Sequence, residues 1–127
     1  MISPIITLSN DKKVINFSSP HDFHFVDGTI LPRISDEDAE RLKVTFIENV
    51  HDNGDVELSF TLGPEVHTRM MECKTLWDND LVDVVYCPLP MITALKESGY
   101  DLKNSPFRAI RVEDRIKKLV SIDKQCI

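Results

Sequence analysis

"LVDVVYC" at residues 81–87, running into "PLP" at 88–90, decides how this chain is built. Apart from Asp83 every residue of the run is apolar or aromatic. A continuous apolar stretch of strand length is what a strand buried on both faces requires. Pro88 stops it, Pro90 opens a helix, and Gly99 after Ser98 closes that helix. Upstream, Gly63-Pro64 begins another helix, with proline near the first position where a missing N–H costs little. Val66, Met70, Cys73 and Trp77 recur at four, three and four residues and form one helical face. Residues 81–87 are therefore predicted as an interior strand between two helices.

Before this unit, "KVTFIENV" (43–50) and "DVELSFTL" (55–62) flank "HDNG" (51–54), whose Asn53-Gly54 pair signals a tight turn. Val56, Leu58, Phe60 and Leu62 alternate onto one face, as do Val44, Phe46 and Val50 in the first arm. The pattern predicts a hairpin packed on the core by that face, with its other side wet. Towards the N-terminus, Ile5–Leu8 and Val14–Phe17 are two short strands joined by a polar turn, and "DFHFV" (22–26) is a third, stopped by Asp27-Gly28. Ser35 is placed to cap a short helix through Leu42, with Asp36, Glu37 and Asp38 at its positive end. "FRAIRV" (107–112) and "IKKLVSI" (116–122) form a second hairpin around "EDR" (113–115). Together these elements specify a single α+β domain over residues 1–127, with a mixed, mostly antiparallel sheet and two or three helices on one face.

Composition narrows the function. The chain has 127 residues, 42% hydrophobic and 28% charged, enough to bury a core without metals or disulfides. It holds no long apolar run of membrane-spanning length. The N-terminus lacks a basic region ahead of an apolar stretch, so no signal peptide is read there and a cytoplasmic protein is expected. Three irregularly spaced cysteines, with no CxxC, argue against a disulfide framework or a zinc knuckle. Fifteen Lys and Arg against 21 Asp and Glu give a net charge of −6, which disfavours nucleic-acid binding and falls far short of nucleic-acid mimicry. Glycines stand only at 28, 54, 63 and 99, so no phosphate-binding loop exists. No GxSxG, HExxH or EF-hand loop is present, and no cofactor is expected.

Polar chemistry concentrates in "PHDFHFVDG" (20–28). On a strand His21 and His24 point to opposite faces, whereas Asp22 and His24 share one. A carboxylate and an imidazole are two ligands, and a metal site needs a third, from His51, Asp52 or His67. The plainer reading is a half-exposed strand with Phe23 and Phe25 in the core. Cys87 ends a buried strand just before a helix, where a dipole can lower a thiol's pKa, although Pro88 and Pro90 remove donors there. Cys73 and Trp77 sit on the apolar helix face as core residues, and Cys126 is uninformative. In "PFRAIRVEDR" (106–115), Arg108 and Arg111 fall on opposite strand faces, so one of them points inward and needs a carboxylate or a ligand's anion.

"DFHFVDGTILP" (22–32) with "PFRAIRVEDRIKKLVSIDK" (106–124) resembles small accessory proteins encoded by bacteriophages and prophages, generally without assigned function. The resemblance covers about a third of the chain, rests on no catalytic motif and transfers no residue roles. It implies a compact acidic protein that acts by binding a host component. The first expectation is thus a non-enzymatic binding protein engaging a host protein or a small anionic ligand, with Asp22, His24, Arg108 and Arg111 as ligand-binding residues. The alternatives are a metal- or thiol-dependent enzyme using Asp22/His24 or Cys87 with Arg111 as anion binder, and a homo-oligomer paired through a hairpin edge.

Overall fold

The computed structural model describes residues 4–127. Its chain order is β1 (Ile6–Thr7), β2 (Lys13–Asn16), β3 (Phe23–His24), β4 (Ile30–Leu31), α1 (Asp36–Arg41), β5 (Val44–Val50), β6 (Val56–Leu62), α2 (Val66–Asp78), β7 (Val84–Tyr86), α3 (Leu89–Glu97), β8 (Phe107–Asp114) and β9 (Leu119–Cys126). A single 3₁₀ turn, Leu102–Asn104, leads into β8. The class is α+β.

Five strands form the main sheet in the order β1-β2-β7-β8-β9. Its outer pairs are antiparallel, while β7 runs parallel to β2 on one side and to β8 on the other. The apolar run at 81–87 thus supplies the central strand, with Val84, Val85 and Tyr86 all buried. Alternation divides the core in two. Ile15, Phe17, Val85, Cys87, Phe107 and Ala109 face a cluster completed by side chains from α1, α2 and α3. Val14, Val84 and Tyr86 face the other way, towards Phe25, Leu31 and Val120 under the small β3–β4 ribbon. Helices α1, α2 and α3 therefore contribute to one side of the sheet.

Local signals explain most boundaries. The Ser35 hydroxyl accepts from Asp38 N–H at 3.1 Å and starts α1. Gly99, at φ 74°, supplies the left-handed residue just past α3. Helix α2 begins at Val66 rather than at Pro64, and its buried residues are Val66, Arg69 and Cys73, with Met70 and Leu76 partly covered. The face is displaced from the expected one: Trp77 is only half-buried, and an arginine lies inside. The strand expected over 22–26 contracts to Phe23–His24, because Val26 and Asp27 enter a turn closed by Gly28 N–H donating to Phe25 O at 3.0 Å. The last hairpin turns later than expected, over 115–118, where the Asp114 carboxylate accepts from Ile116 and Lys117 N–H at 3.0 Å each.

The largest departure concerns β5–β6. The register pairs Val44 with Leu62, Phe46 with Phe60, Glu48 with Leu58 and Val50 with Val56, so the expected alternation is present. The core contact is not. Only Val44 packs against the main cluster; Leu58 and Val50 are 68% and 69% exposed, and the hairpin projects from the domain. Its base is fixed by Gly63, whose N–H donates to Lys43 O at 2.8 Å. A Cβ at residue 63 would fall on the Arg41 carbonyl, which leaves no room for a side chain. Gly63→Ala is therefore expected to destabilise by about 2–3 kcal/mol through a forced backbone shift. Urea unfolding measures it, and a change below about 0.5 kcal/mol would show that the joint is not tight.

Candidate functional site

Of the polar residues in 20–28, the two aspartates tie chain segments together. Asp22 is exposed and its carboxylate accepts from Arg33 N–H at 2.7 Å, joining the start of β3 to the end of β4. Asp27 accepts from Ser9 N–H at 2.9 Å and Thr29 N–H at 2.8 Å. Burial raises its pKa, but the two backbone donors outweigh this and bring it to about 2, from an ordinary 3.8. The folded state therefore binds fewer protons here than the unfolded one. The resulting stability is complete above about pH 5 and is lost as pH falls through 3.8 towards 2. After allowance for solvent screening it amounts to about 1 kcal/mol. Asp27→Asn should flatten the pH dependence of urea unfolding in that window; a parallel dependence in both proteins would remove Asp27 as its source.

His24 is exposed on β3, and His21 is exposed before it. His51 lies at the hairpin tip with Nε2 3.3 Å from Glu57, and His67 is exposed on α2. Among the described residues no group of three or more His, Cys, Asp or Glu side chains is placed to hold a metal ion.

Arg108 is the inward arginine, and its partners are carbonyls. Its guanidinium donates to Leu102 O at 2.7 Å, Ser105 O at 2.9 Å and Phe107 O at 2.7 Å, clamping the 3₁₀ turn onto β8. Arg111 is exposed at an irregularity in the β8–β9 register. Cys87 is 2% exposed, and burial pushes its thiol well above the ordinary value, so it is held protonated in the core. Cys73 is likewise pushed up, to about 11. A surface groove beside Leu42, Val44 and Met91 is lined by none of Asp22, His24, Cys87, Arg108 and Arg111.

What sequence reasoning placed in the core, the structure places on the surface. One face of β5–β6 carries four cross-strand rows, and of its eight residues Glu48 alone is not apolar. Phe46 and Phe60 meet edge to face with centroids 6.1 Å apart and nothing packed over them from the domain core. The opposite face carries Thr45, Thr61, Ile47, Ser59, Asn49 and Glu57 and is mostly polar. At its base the apolar ladder continues, through Val44, into a groove of about 380 Å³ floored by Leu42 and Met91 and walled by Pro88 and Pro90. Asp36, Glu40 and Lys43 are its charged lining residues. A two-stranded ribbon with one face apolar except for Glu48 and largely uncovered is marginal in isolation and is stabilised by whatever covers it. The signal for it was the alternation itself, read correctly for which side chains share a face and wrongly for what they face.

No helix among the described residues is long and apolar enough to cross a membrane. Comparison with protein-family models, with curated proteins and with solved structures finds no match.

Proposed function

We propose that this chain is a non-enzymatic cytoplasmic binding protein that engages another protein through the β5–β6 hairpin. The apolar ladder from Val44/Leu62 to Val50/Val56 carries the reading. It is contiguous, and its outer rows are more than half exposed at Leu58, Val50 and Val56. Monomeric proteins rarely leave such a patch uncovered, whereas partner surfaces consist of apolar centres with polar rims. The five-stranded sheet and its helices then act as a rigid base that presents the ribbon. The inert Cys87 and the carbonyl-bound Arg108 suit a scaffold rather than a reaction centre. The resemblance to phage accessory proteins points to a host protein as the target.

A photo-crosslinking amino acid at position 58, compared with one at the exposed Lys74 on α2, tests this in the cytoplasm of the expressing host. The expected result is one discrete heterologous adduct from position 58, none from 74, and loss of the adduct when Val50→Asp is added. Adducts of equal yield and identity from both positions, or no adduct from 58, would remove the hairpin as the docking element.

A further inference from the structure

Resting on that docking role, we infer that the partner segment is a basic amphipathic helix of about four turns, laid along the apolar face of β5–β6 with one Lys or Arg against Glu48. Length comes first. Strands of seven residues span about 20 Å, the length of a helix of about 14 residues. A helix is also about as wide as the two-stranded ribbon with its side chains. Val44 makes the ladder continuous with the groove floored by Leu42 and Met91, so one end of the helix has a depression to enter.

Charge then selects among occupants. Glu48 stands in the third row, between Phe46/Phe60 and Val50/Val56, opposite Leu58. It has no ion-pair partner among the described residues. A partner that covers the ladder also covers this carboxylate, and a buried carboxylate demands a cation. The surroundings are mostly of the same sign: Asp52 and Asp55 lie around the tip, and Asp36 and Glu40 line the groove, where Lys43 is 3.5 Å from Glu40. A second copy of this chain does not meet the demand. Two ladders packed face to face would enclose two Glu48 carboxylates, while Lys43, at the hairpin base, sits out of phase with the ladder and 3.5 Å from Glu40.

The test uses two synthetic helical peptides of about 18 residues, identical in their leucine seam and differing only in a central Lys or Glu. Affinities are measured by fluorescence anisotropy for the wild type, Glu48→Lys and Leu58→Asp, each first shown to be folded by its amide NMR spectrum. The expected result is about tenfold or greater preference of the wild type for the Lys peptide, inversion of that preference in Glu48→Lys, and loss of both in Leu58→Asp. Equal affinity for both peptides, lost in Leu58→Asp, would overturn the cation requirement and leave the docking role standing. Binding of neither peptide would overturn the helix, and binding that survives Leu58→Asp would overturn the docking role too. A wild-type dimer in light scattering that dissociates in Leu58→Asp would make a second copy the occupant and end the proposal.

Discussion

Replacing Arg69 by methionine is expected to cost the fold about 3–4 kcal/mol, although methionine keeps most of the side chain's apolar stem. Arg69 is 4% exposed on α2. Its Nη2 donates to Asn16 O at 2.8 Å and its Nε to Phe17 O at 3.2 Å, so one planar group serves both carbonyls where the chain leaves β2. Its charge is offset by Glu72, whose carboxylate lies 3.4 Å from Nη1, and the guanidinium sits 6.0 Å from the Phe17 ring centroid. Methionine would leave both carbonyls dry and without donors. Lysine reaches one carbonyl at a time and should recover about half the loss. Urea unfolding of the three proteins decides it; a methionine variant within 1 kcal/mol of the wild type would mean that the carbonyls find other donors.

Phe107→Ala should cost about 3–5 kcal/mol. Phe107 is fully buried on β8 and meets Phe17 edge to face at 5.9 Å and Tyr100 at 6.0 Å. It joins β8, the end of β2 and the turn after α3, so its removal opens a cavity that three elements line. Ile116 provides the contrast. It lies 94% exposed in the turn between β8 and β9, and Ile116→Ala should change stability by less than about 0.5 kcal/mol. Similar losses from both truncations would contradict the burial that separates them.

These sites show what the sequence could and could not disclose. The uninterrupted run at 81–87 gave away a strand covered on both faces, because solvent on either side would have demanded polar residues there. Its two neighbours were not legible: β2 lies some 70 residues upstream, and parallel pairing leaves no local turn signature. Arg69 escaped for a related reason. Guanidinium groups read as solvent-facing unless an acceptor is known, and here the acceptors are backbone carbonyls of a distant strand. Asp22 and His24 stood out because polar residues crowd a short stretch, yet Asp22 is explained by Arg33 N–H, a partner that becomes adjacent only when β3 and β4 pair. Of Arg108 and Arg111 one was expected to point inward without a choice between them; Arg108 does, and backbone carbonyls fill the place assigned to a carboxylate or an anion. For the hairpin, periodicity named the residues of the ladder; what covers them is encoded in another molecule under our reading.

The parallel pairing of β2 with β7 also sets a timetable. Val14 pairs with Val84, so β2, with β1 beside it, lacks its parallel neighbour until the chain has grown by 70 residues. At translation speeds of about 5–20 residues per second, that wait is roughly 4–14 s. The β5–β6 ribbon emerges inside the interval and can close by itself within microseconds. A nascent chain therefore displays its sticky ladder before it owns a core. Whatever attends the ribosome at that moment meets the exposed ladder before the folded domain.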